Sequence, residues 1–228
     1  EIPVLSMIRK LNYNNRILTP DERVEYCKIS DNYINEFSEY IDGIYQLAKD
    51  SSLSEHSASS QINNTLIKTS LFIQYSLCDC AVLNKLFVGA TNPYEKSMLR
   101  GKLKVLLNES FKKLYGFNKK GYKDSYCAQL EAIMPMFPGF KSQFDELLSD
   151  LVQISKDSWW KDERDAEVHI DVVRLYELRH EEINESKVAM EASQLLACFN
   201  RFNSLMRNLS KASFEHMVSV LKKEGILH

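Results

Sequence analysis

An all-α, up-and-down helical bundle is the fold this sequence predicts, and three observations predict it. Apolar residues recur at steps of three and four through long segments, which is the period of a half-buried helix. Helix-start signals precede two of those segments. No segment shows the strict two-residue alternation of a half-buried strand.

The first start signal is Thr19-Pro20-Asp21-Glu22: Thr19 as N-cap, Pro20 at the first helical position, and two acids at the positive end of the helix dipole. The helix it opens is expected to run to about Lys49, with Val24, Cys27, Ile34, Phe37, Ile41, Ile44 and Leu47 as its buried stripe. Asp50 to Ser60 reads as a Ser-rich loop. Ile62, Leu66, Thr69, Ile73, Ser76, Cys80, Leu83 and Phe87 then draw a seam down one side of a second helix. A further stripe of Ile67, Leu71, Leu77, Val82 and Leu86 widens it and predicts a central position. Gly89 ends this helix. Asn92-Pro93-Tyr94-Glu95 opens the next, with Asn92 capping and Glu95 placed for a capping box, and Leu99, Leu103, Leu106, Leu107, Phe111 and Leu114 form its apolar face.

Gly116 and Gly121 are expected to bracket a basic loop. A helix over Cys127 to Met136 is cut by Pro135 and Pro138, and helical spacing resumes from Phe140 to about Trp160 through Phe144, Leu147, Leu148, Leu151 and Ile154. The last long helix is expected near Asn184, with Val188, Leu195, Cys198, Phe202, Leu205 and Leu209 inward, and a separate short one over Phe214 to Leu221. With no repeat or linker, residues 1–228 read as a single helical domain with N- and C-terminal helical additions, residues 1–18 as a mobile arm.

At 228 residues the chain is long enough to bury a sizeable core without staples. Five cysteines, an odd number placed in apolar helical patterns, suit reduced thiols. Cys78 and Cys80 point to different sides of a helix, and no second pair follows at zinc-ligand spacing, so no metal site and no cofactor are expected. No run reaches the roughly 18 apolar residues of a membrane span, and the first residues lack a signal peptide's apolar block, so a cytoplasmic protein without membrane contact is expected. The formal net charge of −2 argues against a general nucleic-acid coat. Charge is uneven, however. From Lys96 to Lys123, Lys96, Arg100, Lys102, Lys104, Lys112, Lys113, Lys119, Lys120 and Lys123 face only Glu95 and Glu109. A solvated helix face with a basic loop explains this; a phosphate-attracting patch that includes Lys119 and Lys120 is the sharper alternative.

No glycine-rich phosphate loop, H-E-x-x-H or G-x-S-x-G pattern is present. The densest titratable stretch is W-W-K-D-E-R-D-A-E-V-H-I-D, residues 159–171. On a straight helix Trp160, Arg164, Glu167 and Asp171 share a side, and His169 lies about 140° from Arg164, so those two converge only if the helix bends or ends nearby. Arg164, Asp165 and His169 have the order and spacing of a motif, and on it the chain resembles the HEPN superfamily of small helical-bundle proteins, over roughly Ile62 to Leu209. His169 with Asp171, and the Y-E-K-S-M-L-R to K-K-L-Y-G-F helix, resemble its abortive-infection members. A second match, Arg174 with His180, has Leu175 where the motif has a polar residue.

The resemblance implies RNA binding or metal-independent RNA cleavage, in a toxin-antitoxin or phage-defence setting, at a composite site on a homodimer. Arg164 would bind phosphate, His169 would serve as base in one copy and acid in the other, and Asp165 would orient them. Histidine suits such exchange because its ordinary pKa lies near 6.5. Asp171 and Trp160 are the accompanying candidates for binding, Trp160 by stacking on a base or by packing in a core or dimer contact. A nucleotidyltransferase-type antitoxin is the partner that the resemblance implies. The rival expectations are a non-catalytic helical module for protein or nucleotide binding and a plain structural domain without ligand; the plainest reading of the residues is that Arg164 sits on an ordinary charged face and His169 is partly buried beside Trp160.

Overall fold

The computed structural model describes residues 19–51, 58–116, 119–156, 161–183 and 185–223. In chain order the helices are α1 (Pro20–Ser51), α2 (Ala58–Gly89), α3 (Pro93–Leu114), α4 (Lys119–Lys123), α5 (Tyr126–Ile133), α6 (Lys141–Lys156), α7 (Lys161–His169), α8 (Val172–His180) and α9 (Glu185–Lys223), with two short 3₁₀ turns, Met134–Met136 and Pro138–Phe140, between α5 and α6. The described residues contain no strand, so the all-α class holds. Residues 1–18, expected to form an arm, and the 52–57 part of the Ser-rich stretch lie outside the described residues.

The α2 helix is central: α1, α3, α5 and α9 all pack on it. Its predicted seam is the buried one, with Leu66, Ile73, Cys80 and Phe87 each at 2% exposure or less. Facing them are Phe199, Phe202 and Leu205 of α9 and Leu103, Leu107 and Phe111 of α3, in the same continuous core. Burying each such side chain contributes about 1.5–3 kcal/mol. A 28-residue part of α2, Ile62–Gly89, is long and apolar enough to cross a membrane by length and composition alone, a test that the buried core helix of a bundle also passes. Thr69, Gln74, Ser76 and Asn84 interrupt it, and two of them bind neighbouring helices. Gln74 Nε2 donates to Asn203 Oδ1 of α9 at 2.7 Å, and Asn84 bonds the Tyr26 hydroxyl of α1.

That last bond explains a second correction. Val24, assigned to the buried stripe of α1, is 55% exposed, whereas Tyr26 and Ser30 are buried. The helix is rotated so that the Tyr26 hydroxyl reaches Asn84, with its ring in the core. Thr19 makes the full reciprocal cap: its hydroxyl accepts from the Glu22 N–H at 3.3 Å, and Glu22 accepts from the Thr19 N–H at 2.9 Å. Asn92 caps α3 by accepting from the N–H groups of Tyr94 and Glu95.

The expected basic loop contains the short helix α4, preceded by Gly116 at φ +81°. A Cβ there would lie 2.5 Å from the Gly121 carbonyl carbon, so only glycine fits this turn. Phe214 to Leu221 is not a separate helix; α9 runs unbroken to Lys223.

Candidate functional site

The segment singled out by sequence folds as a hairpin, α7 then α8, docked on α3. Trp159 and Trp160 lie outside the described residues. The α7 helix stops at His169, and the corner is a Schellman turn: Ile170 has φ +54°, and the Asp171 N–H bonds the Ala166 carbonyl at 3.1 Å. A β-branched residue at the position that favours glycine costs about 1–2 kcal/mol. Asp171 then starts α8, its carboxylate accepting from the Arg174 N–H at 3.1 Å. Asp171 is therefore an N-cap on the next helix and does not share a side of one continuous helix with Arg164.

Arg164 crosses to α3. Its Nε and Nη2 donate to Glu109 Oε1 at 2.9 and 2.6 Å, and Nη1 donates to Asp165 Oδ1 at 2.7 Å. These bonds, Asp165's first and then Glu109's, raise the Arg164 pKa above its already high ordinary value. Glu109 also pairs with Lys112 at 3.8 Å, so Asp165, Arg164, Glu109 and Lys112 form one chain of alternating charge. His169 is exposed at the far end of α7, not half-buried. The structure thus joins Arg164 and Asp165, and places His169 one turn beyond Asp165, at the exposed end of the same helix. Of the basic pair in α4, Lys120 is exposed, and the side chain of Lys119 is outside what the structure describes.

A denser set of charges lies deeper and was missed. Lys96, Arg100 and Lys104, four residues apart on α3, are only 9%, 6% and 4% exposed. They are neither a solvated face nor a patch open to phosphate, because each meets a glutamate. Lys96 bonds Glu185, Arg100 lies 3.8 Å from Glu181, and Lys104 lies 3.0 Å from Glu191. Arg23 of α1 joins Glu185 at 3.0 Å. Between them Glu167 of α7, nearly buried, bonds Arg179 and reaches Lys102 at 3.7 Å. Its carboxylate lies where a side chain on residue 101 would stand, which Gly101 makes possible. The Leu178 carbonyl, in the last turn of α8, accepts from Ser97 Oγ at 3.1 Å and Arg100 Nη2 at 2.6 Å, and Arg179 donates to the Ser97 carbonyl at 3.1 Å. The four-residue spacing of the cations was legible; that it marked an interface was not, because the acids opposing it lie some 60 to 90 residues further along.

The hairpin's polarity is inverted. Its inner, docked face is charged, and among its described residues only Ala166 and Leu178 are buried apolar ones. Its outer face carries Val168, Ile170, Val172, Val173 and Tyr176, all 44–70% exposed. Among the described residues no group of three or more His, Cys, Asp or Glu side chains is placed to hold a metal ion.

This architecture is an all-helical bundle with a charge-docked hairpin, and the family comparison assigns it. The chain belongs to the NurA family: the NurA domain model matches residues 17–183, which contain the whole hairpin and its α3 dock. Membership suggests a nuclease-type function. Neither a curated protein nor a solved structure matches the chain. The HEPN resemblance is corrected accordingly, since the matching family is NurA and no HEPN model matches. The physical reason is that an Arg and a His separated by four residues recur by chance in a chain with this many of each. The nucleotidyltransferase-type antitoxin was implied by that resemblance alone.

Proposed function

We propose that the chain is a nuclease-type protein that binds a nucleic-acid strand along the C-terminal half of α3 and α4 and brings α7 to it. The NurA match over residues 17–183 carries this reading. Lys112, Lys113, Lys120 and Lys123 on that half are exposed, in contrast to the buried cations upstream. Through Glu109 the surface is continuous with Arg164. In this reading Lys112, Lys113 and Lys120 meet phosphates, Arg164 is a positioning residue tied to Asp165 and Glu109, and the exposed imidazole of His169 is the acid or base.

The test is cleavage of end-labelled single-stranded DNA and RNA by the purified chain, with EDTA and with added magnesium or manganese. Cleavage of one substrate, lowered about 100-fold or more by His169→Ala, is the expected result. Lys112→Glu with Lys113→Glu should raise KM more than it lowers kcat. Cleavage that His169→Ala leaves unchanged removes His169 from the reaction.

A second reading, a non-catalytic interaction module, is favoured by one observation, the exposed apolar outer face of the hairpin. A second copy of the chain covering that face would make the homodimer. Light scattering of the chain and of its Tyr176→Glu variant distinguishes a dimer that the substitution dissolves from a monomer throughout.

A further inference from the structure

We infer that α3 carries a second, covered site for a nucleic-acid strand, the row Lys96, Arg100 and Lys104, and that the α7–α8 hairpin together with the first turns of α9 is its cover. The inference rests on the nucleic-acid reading above and adds the regulation of that surface.

Four-residue steps place the cations of the row on one helix face, successive ones about 6 Å apart along the axis. Oxygen anions already occupy that face: the carboxylates of Glu181, Glu185 and Glu191 stand opposite the three cations, and Glu167 reaches Lys102. A phosphate backbone offers the same ligand, anionic oxygens at repeated spacing, and can replace the carboxylates without leaving a cation unpaired. The row continues along α3 into the exposed Lys112 and Lys113 surface, so a strand bound there can extend onto it.

The cover is held in a way that permits exchange. Hairpin and α3 meet through ion pairs and through bonds to the Leu178 and Ser97 carbonyls, and among the hairpin's described residues Ala166 and Leu178 are the only buried apolar ones. Charged groups held in this way can exchange one anionic partner for another, which an apolar contact cannot do. Glu167 and Glu181 are the hairpin's own contributions, so neutralising them removes the acids opposite Lys102 and Arg100. Lys96 and Lys104 face glutamates on the first turns of α9, which follow α8 directly in sequence.

The experiment compares the full chain with its Glu167→Gln/Glu181→Gln variant for binding of a fluorescein-labelled oligodeoxythymidylate of about 20 nucleotides, by anisotropy over a salt series. The variant should bind at least about 10-fold more tightly, and its log Kd against log salt should steepen by about 1.4, as two new single-strand phosphate contacts require. Adding Arg100→Gln should reverse most of the gain. In the unsubstituted chain, saturating oligonucleotide should raise amide hydrogen exchange across residues 161–180. Affinity and salt slope unchanged in the variant, or a gain that survives Arg100→Gln, overturns the covered site. If the unsubstituted chain binds strands through Lys112 and Lys113 and the variant merely equals it, the cover fails and the function stands; if neither protein binds, both fall. Should the variant not fold, as circular dichroism would reveal, the exchange measurement on the unsubstituted chain decides alone, and unchanged protection at saturation counts against the cover.

Discussion

Ile170 is the residue at which the hairpin stores strain, since its side chain is 69% exposed while its backbone is left-handed. Ile170→Gly is expected to stabilise the fold by about 1 kcal/mol, read as a higher midpoint in urea with unchanged slope. No change would mean that the isoleucine side chain offsets the strain through a contact of its own. Asp171→Ala removes the cap of α8 and should cost about 1 kcal/mol. Gly101→Ala sets two effects against each other. Alanine favours the interior of α3 by up to about 1 kcal/mol, but its methyl group would displace the Glu167 carboxylate from its place beside Arg179. Global stability should therefore change little, while amide exchange in residues 161–180 rises. Unaltered exchange there would show that Glu167 is not what holds the hairpin down.

Among the elements, α2, α3 and α9 follow their apolar periodicity closely, and α7–α8 departs from it. Periodicity reads a helix correctly when its inner face is apolar, because burial of that face decides its rotation. In α7–α8 the docked side is ionic, and the apolar residues Val172, Val173 and Tyr176 face outward. The Lys104–Glu191 pair tests how such an interface is held. Lys104→Ala should cost up to about 3–5 kcal/mol by leaving the buried Glu191 with the exposed Lys187, at 3.9 Å, in place of its 3.0 Å partner, whereas the paired change Lys104→Met/Glu191→Leu should recover most of that loss. Urea denaturation of the three proteins measures it. Equal losses in the single and paired variants would show that the pair is not energetically coupled.

At the scale of the whole molecule, burial pushes the Cys198 thiol up to about 12 and raises those of Cys80 and Cys127 still further. The folded chain keeps these protons at pH values where the unfolded chain, with thiols near their ordinary 9.0, has lost them. The contribution is thus fully present below about pH 9 and falls away as pH rises towards 12. The midpoint of urea unfolding should drop over that window, and less steeply in Cys198→Ala. Equal alkaline slopes in the two proteins would exclude the thiol as a source.

The sequence by itself determined the all-α class, the centrality of α2, the helix starts at Thr19 and Asn92 and most of the inward residues. All of these depend on contacts between near neighbours in the chain or on local apolar spacing. It also marked Arg164 to Asp171 as unusual, but supplied a wrong family for it. What only the tertiary structure decided is where charge goes. Arg164 is spent on Glu109, 55 residues away, Asp171 on the cap of α8, and the cations of α3 on glutamates of Glu181–Glu191. Ion pairs between helices have no sequence period, and their strength depends on burial, which exists only once distant helices have packed.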